Sequence, residues 1–127
     1  MKEFMLYIRN RIDHLAGLTP TQNQEFLEAC RVYIEKLQKE GKLIAAQPIE
    51  KQGILLSVAN GEWKEAPFNE TNEVNVGYYH IRAIDLNEAI AIAKENPEFV
   101  YTKTARIEVR PIKGKETSTG FEYPKGV

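Results

Sequence analysis

Cysteine and histidine are scarce in this chain, which contains one cysteine, Cys30, and two histidines, His14 and His80. A single cysteine cannot form an internal disulfide, and such usage is typical of a reducing compartment. The two histidines are far apart in the sequence, and no C-x-x-C or H-E-x-x-H pattern accompanies them. We therefore expect a cytoplasmic protein without a metal site.

Other common signals are also missing. No apolar run approaches the roughly 20 residues that span a bilayer, and residues 1–11 have the pattern of a strand, not of a signal peptide. The net charge of −1 creates no global attraction to nucleic acid or to an anionic membrane. No glycine-rich phosphate loop follows a strand, and no G-x-S-x-G elbow is present. The sequence thus predicts no membrane partner, no nucleic-acid partner and no cofactor.

The length and composition of the chain are those of one folded domain. Its 127 residues, of which 43% are hydrophobic and 28% charged, can bury a single core. We assign residues 1–112 to this domain. Residues 113–127 hold three glycines and few aliphatic side chains, so we expect them to form a loose polar tail.

The first helix has clear boundary signals. Thr19 can cap it, Pro20 suits its first position, and Gln22 completes a capping box. Apolar side chains follow at helical spacing, and Gly41 supplies the stop. The sequence therefore predicts a helix of about five turns.

Alternating apolar and polar residues predict the strands, and Asn60-Gly61 between two of them is a strong hairpin signal. A second helix begins at its cap, Asp85, and ends at Asn96-Pro97. Its expected buried residues are Leu86, Ala89, Ile90 and Ala93. The predicted strands are 4–9, 43–46, 53–58, 62–66, 76–84 and 105–110.

This order of elements predicts an α+β fold. It is β-α-β-β-α-β with an extra β-hairpin, for which the ferredoxin-like arrangement is the expected solution: an antiparallel sheet with two helices on one face. In that topology the first strand lies centrally, between strand 76–84 and the last strand.

The sheet face that no helix covers has a mixed composition. It carries two tyrosines, one histidine, and four arginines against one glutamate. The side chains that point to this face are Met5, Tyr7, Arg9, Tyr78, His80, Arg82, Arg106, Glu108 and Arg110. Burying it dry would leave unpaired charges, at several kcal/mol each, whereas full exposure would leave Met5 and the tyrosine rings in water.

Two interpretations of this face remain open. In the first, a second copy packs sheet against sheet and leaves a polar cleft, so that the homodimer is a dimeric α/β barrel. The arginines would then favour a small anionic or phenolate ligand. In the second, the arginines pair with the loop carboxylates Glu65, Glu70 and Glu73.

Individual residues on this face have candidate roles. His80 is the candidate general acid/base, because its pKa is normally near neutrality; alternatively it only bonds a group of the second subunit. Arg9 and Arg82 could bind an anion or form ion pairs across the dimer. Tyr7 and Tyr78 could contact a ligand or pack in the interface.

The remaining chemically reactive side chains carry weaker signals. We expect Cys30 to lie in the core, on the apolar side of the first helix, without features that activate a thiolate. His14 lies in a connection, where we expect it to be exposed to solvent.

An ordered set of segments is similar to the YCII-related (DGPF-domain) family over about residues 3–112. The segments are FMLYIRN, LTPTQ, EKLQKEGKLIAAQPIE, EAPFNETNEVNVGYYHIRA, DLNEAIAIAKENP and IEVRPI. The resemblance implies a ferredoxin-like, dimeric α/β barrel. The family signature D-G-P-F stands here as Glu65-Ala66-Pro67-Phe68, with a longer acid and with alanine in place of glycine. It implies that Glu65, Pro67 and Phe68 belong to a ligand site.

Two functional hypotheses follow. One branch of the family resembles enzymes that eliminate halide from hydroxylated aromatic compounds with a histidine and an acid, and other members accompany alternative sigma factors. The chain is accordingly either a small-molecule enzyme that uses acid/base chemistry or a binding module without catalysis. RNA binding is disfavoured, because the aromatic RNP pattern of a ferredoxin-like RNA-binding domain is missing.

Overall fold

A computed structural model describes residues 1–68 and 73–124. Glu70, one of the arginine partners expected above, lies outside the described residues. The elements in chain order are β1 (Lys2–Arg11), α1 (Pro20–Lys39), β2 (Leu43–Pro48), β3 (Leu55–Ala59), β4 (Glu62–Ala66), β5 (Glu73–Ala83), α2 (Leu86–Lys94), α3 (Glu98–Tyr101) and β6 (Arg106–Pro111). The short helix α3 was not expected from the sequence.

Four strands form one open antiparallel sheet in the order β2-β5-β1-β6. The first strand therefore lies centrally, between β5 and β6, as the topology predicted. In this register Tyr7 is opposite Tyr78 on β5 and Glu108 on β6. The α+β, ferredoxin-like fold is thus confirmed, and the pairing of two such sheets in a dimeric barrel stays a prediction.

The helix boundaries follow from local hydrogen bonds. The Thr19 hydroxyl accepts a bond from the backbone N–H of Gln22 at 3.1 Å, and the Gln22 side chain accepts one from the Thr19 N–H at 2.9 Å. This capping box is the predicted one. At α2 the Asp85 carboxylate caps the N–H of Glu88, while the Glu88 carboxylate reaches the N–H of Ile84, one residue before the cap.

The core lies between the helices and one face of the sheet. Phe4, Leu6 and Ile8 of β1 are buried there, and Leu6 is 0% exposed. Ile81, from the same face of β5, packs in the same cluster. The face assignment of both central strands is therefore the predicted one, because side chains on a strand alternate between faces.

One part of the core differs from the prediction. On α2 the buried residues are Ala89, Ile92 and Ala93, whereas Leu86 is 45% exposed and Ile90 is partly buried. The three buried residues are spaced three and four apart and so share one side of the helix. Leu86 is the first residue of α2, where the chain has only just left the sheet.

The predicted hairpin is present and forms a sheet of its own, β3 with β4. Asn60 and Gly61 both have positive φ, +52° and +78°. This is the backbone that a two-residue type I′ turn requires, and asparagine followed by glycine adopts it at low cost. Strand β3 begins two residues after its expected start and ends one residue beyond its expected end.

Residues after β6 make local contacts. Lys115 and Glu122 form an isolated bridge, and the rings of Phe121 and Tyr123 meet edge to face at 5.2 Å. The segment expected to be a loose tail therefore folds back on itself up to residue 124.

Candidate functional site

Three arginines of the uncovered sheet face, Arg9, Arg106 and Arg110, are paired with carboxylates. Glu73, at the start of β5, accepts bonds from Arg9 at 2.6 Å and from Arg106 at 2.7 Å. Glu108 lies between Arg9 at 3.6 Å and Arg110 at 3.5 Å. The expected arginine-to-carboxylate pairing is thus present for Glu73. This pairing reduces the excess positive charge that was expected on this face.

These bonds lower the pKa of Glu73, chiefly through the hydrogen bond from Arg106 and then that from Arg9. A carboxylate with a lowered pKa stabilises the fold above its ordinary value of 4.5, and this contribution disappears as the pH falls through the lowered pKa. We therefore expect Glu73→Gln to destabilise the chain at pH 7 and to have a much smaller effect at pH 3.

Urea unfolding of the two proteins at both pH values measures this difference. Glu62→Gln, on the exposed strand β4, is the matched control and should change neither midpoint. An equal loss of stability at pH 3 and pH 7 in Glu73→Gln would show that the arginine bonds do not matter.

His80 is held by an acid that the sequence analysis missed. Its Nε2 lies 2.7 Å from Oε1 of Glu3, on the neighbouring strand β1. The His80 side chain is 18% exposed. Glu3 precedes Met5 by two residues and so lies on the same face, which was the available signal. A histidine with a carboxylate partner is oriented for hydrogen bonding or proton transfer.

The other predicted site residues are dispersed. Arg82 is exposed on β5, and Glu65 is exposed on the hairpin strand β4. Phe68 lies near the base of the hairpin, where its ring approaches Gly53. Arg9 and Phe68 line one shallow depression of about 400 Å³, together with Glu73. Pro67, which precedes Phe68, is exposed.

A larger cavity lies on the opposite side of the sheet, between α1 and strands β1, β2 and β5. We call it the α1 cavity, and its volume is about 650 Å³. Apolar side chains dominate its walls, among them Ile8, Phe26, Ile34, Ile49, Val76 and Tyr79. Its size lies within the range of about 300–1,000 Å³ that is usual for small-molecule sites.

His14 lies on the wall of the α1 cavity, paired with Glu98 of α3. The histidine Nε2 and Glu98 Oε1 are 3.1 Å apart, and their side chains are 11% and 9% exposed. The expectation that His14 is exposed to solvent was therefore wrong. The connection after β1 turns back toward the body of the domain, and the Nδ1 of His14 lies 2.9 Å from the Arg11 carbonyl oxygen.

Asn10, near the end of β1, holds Glu98 in place through hydrogen bonds. Its amide donates to Glu98 Oε1 at 3.0 Å and to the Thr102 hydroxyl at 2.9 Å. Its carbonyl oxygen accepts from the Thr104 hydroxyl. Asn10 is 0% exposed, and it continues the inward alternation of Phe4, Leu6 and Ile8. A polar residue on that face requires partners, so the sequence did contain a signal for this cluster.

The hydrogen bonds define how the pair is oriented. A carbonyl oxygen can only accept, so the His14 nitrogen that faces Arg11 donates the hydrogen of that bond. The other His14 nitrogen lies against Glu98 Oε1, which also accepts a bond from Asn10. The His14 nitrogen and the Glu98 oxygen are thus positioned to share or exchange a proton.

Cys30, on α1, also lines the α1 cavity. Burial raises the pKa of its thiol to about 11, and the charge of Glu98 adds to this effect. The thiol is therefore protonated at neutral pH and is a poor nucleophile. Burial likewise raises the pKa of the Tyr79 hydroxyl. His14 is the histidine on the wall of this cavity, and Glu98 is its carboxylate partner.

Among residues 1–68 and 73–124, no three His, Cys, Asp or Glu side chains are grouped closely enough to bind a metal ion. In the same residues, none of the helices has the length and apolar character needed to cross a membrane.

Comparisons with known proteins give one positive result. A comparison with curated proteins yields no match. The family described as the YCII-related domain matches residues 2–114, which is most of the chain and includes the whole sheet and all three helices. The family expected from the ordered segments is thereby confirmed, and the chain belongs to the YCII-related family.

Proposed function

We propose that this chain binds a small, largely aromatic molecule in the α1 cavity and exchanges a proton with it through His14 and Glu98. The observation that carries the proposal is the combination of a largely apolar cavity of about 650 Å³ with His14 on its wall, paired with the nearly buried Glu98. Large apolar pockets with a few convergent polar groups are the usual form of small-molecule sites.

The residues that line the α1 cavity indicate which class of ligand it would bind. Phe26, Ile34 and Val76 offer apolar contact to a ring, while the His14 ring offers a hydrogen bond. A phenol or an aromatic carboxylic acid satisfies both requirements. Its ionised oxygen would accept the hydrogen bond that Glu98 now accepts, and Glu98 would keep its bond to Asn10.

The proton balance needs no further reactant. A phenol that enters in its neutral form would share its hydroxyl proton with the His14–Glu98 pair, and the pair would hydrogen-bond the phenolic oxygen. In the reverse transfer, the pair returns the proton to an oxygen or carbon atom of the ligand. The same residues therefore support either reversible binding or general acid/base catalysis, and turnover of a bound compound distinguishes the two.

The uncovered sheet face is the second candidate site. Support for it comes from the 2.7 Å contact between His80 and Glu3 and from the partial burial of Met5, Tyr7 and Tyr78. In this alternative a second copy covers the face, and an anionic ligand lies near Tyr7, Arg9, Tyr78, His80 and Arg82. Such a ligand would have to compete with Glu73 for Arg9.

A thermal-shift screen of phenols and aromatic acids tests both candidates. A ligand that binds the folded state raises the melting temperature in proportion to RT ln(1 + [L]/Kd). We expect a compound that stabilises wild type and His80→Asn but loses at least tenfold in affinity with His14→Asn. The two substitutions are matched, because each replaces one carboxylate-paired histidine with the same amide.

Cys30 provides an independent readout in the same cavity. Because the pKa of its thiol is about 11, we expect slow alkylation by iodoacetamide at pH 8 and further slowing by the bound compound. The opposite result would place the site on the uncovered sheet face: a compound that binds His80→Asn more weakly, binds His14→Asn as it binds wild type, and leaves Cys30 unprotected. If no binder protects Cys30, the proposal for the α1 cavity is wrong.

A further inference from the structure

Two tyrosines pack against each other in the core, and their hydroxyl groups differ in how they are bonded. The ring of Tyr33, on α1, meets the ring of Tyr79, on β5, edge to face, with the ring centroids 5.3 Å apart. The Tyr33 hydroxyl donates a hydrogen bond of 2.7 Å to the carbonyl oxygen of Ile92. Within residues 1–68 and 73–124, by contrast, no group forms a hydrogen bond with the Tyr79 hydroxyl.

The Tyr79 hydroxyl is accessible from the α1 cavity. Tyr79 is only 9% exposed, and a tyrosine hydroxyl at such a depth usually has a partner. In the described part of the chain, Nδ2 of Asn96 is the one fully enclosed side-chain polar atom without a partner, so the Tyr79 oxygen still borders open space. The open space next to Tyr79 is the α1 cavity, because this residue forms part of its wall.

The surroundings keep this hydroxyl protonated and rigidly placed. Burial raises the pKa of Tyr79, and the negative charges that Cys30 and Glu98 can carry raise it further, so the hydroxyl is a hydrogen-bond donor at neutral pH. The backbone of Tyr79 is fixed on both sides, opposite Leu6 on β1 and Ala46 on β2. A donor held on a strand in the middle of a sheet is well suited to recognise one atom of a ligand.

We infer that the Tyr79 hydroxyl determines specificity in the α1 cavity by donating a hydrogen bond to a second polar group of the ligand. The inference rests on the proposed function, in which His14 and Glu98 bind the first polar group. The preferred ligand is then an aromatic compound that carries a phenolic or carboxylic group and, in addition, an acceptor such as a carbonyl oxygen. A compound without the acceptor is disfavoured, because it leaves a nearly buried donor unpaired.

Pairs of phenols that differ in one acceptor atom test this preference on the full chain. The meta and para isomers of hydroxyacetophenone carry a carbonyl oxygen, whereas the corresponding ethylphenols have nearly the same size and lack it. By isothermal titration calorimetry, at least one hydroxyacetophenone should bind wild type about fivefold more tightly than its ethylphenol counterpart, as one neutral hydrogen bond predicts. Tyr79→Phe should reduce this preference about fivefold, whereas the matched variant Tyr33→Phe should keep it.

The melting temperatures of the two variants give a readout that needs no ligand. Tyr33→Phe removes a buried hydrogen bond and should lower the melting temperature by about 3 °C, whereas Tyr79→Phe should not lower it. An equal decrease in both variants would show that the Tyr79 hydroxyl is bonded within the chain and would overturn the inference.

Two binding results would also overturn it: a wild type that prefers neither hydroxyacetophenone, or a preference that persists in Tyr79→Phe. In either case, weaker binding of the phenols to His14→Asn would show that the proposed function still holds.

Discussion

Replacing Asn10 with alanine is expected to lower the free energy of unfolding by about 3–4 kcal/mol, because a buried hydrogen-bond network would lose its centre. The Asn10 side chain is 0% exposed and bonds Glu98, Thr102 and Thr104. Without the Asn10 amide, the nearly buried Glu98 side chain loses one of the donors that compensate its burial.

Chemical denaturation at pH 7 measures this loss, and Asn87→Ala is the control. Asn87 is exposed on α2, so its replacement should change stability by no more than about 0.5 kcal/mol. Similar small effects for both variants would show that the cluster around Glu98 contributes little to stability. Asn10→Ala should also speed alkylation of Cys30, because a loosened α3 would expose the α1 cavity.

Replacing Leu6 with alanine is expected to cost about 3–4 kcal/mol of stability, through lost burial and the space left behind. Leu6 is 0% exposed in the core cluster, where β1 is flanked by β5 and β6. Rigid backbone on both sides limits how far the neighbours can move to fill the space, which places the cost within the usual range for a buried leucine.

The neighbouring substitution Met5→Ala provides the contrast. Met5 is only partly buried and points to the uncovered face, so we expect a loss below about 1 kcal/mol at low micromolar concentration. Urea unfolding of the two variants therefore measures which face of β1 is the core. If Met5→Ala cost as much as Leu6→Ala, the assignment of the faces would be wrong.

Local sequence signals predicted most of the fold. The capping box of Thr19 and Gln22 depends on atoms three residues apart, and the turn at Asn60-Gly61 depends on two residues alone. The alternation of Phe4, Leu6 and Ile8 assigned one face of β1 to the core. These features were predictable because neighbours in the sequence determine them.

Parts of the candidate sites could not be predicted in this way. The helix α3 has four residues, too few for a hydrophobic period. Leu86 was expected in the core because its spacing from Ala89 is helical, yet its position at the start of α2 leaves it exposed. Cys30 was expected in the core but is only partly buried and lies outside the core cluster, because the distance between α1 and the sheet leaves the α1 cavity beside it.

The sequence by itself determined the order of the strands and of the two longer helices, where those two helices begin, and that a polar face remains on one side of the sheet. Only the tertiary structure decided that His14 and Glu98 lie 3.1 Å apart. The two residues are far apart in the sequence. Neither of them belongs to a local pattern that marks a functional site. They meet because antiparallel pairing of β1 with β5 and β6, and packing of the helices on that sheet, bring the end of β1 next to α3. Such long-range contacts depend on the whole core and leave no local pattern in the sequence.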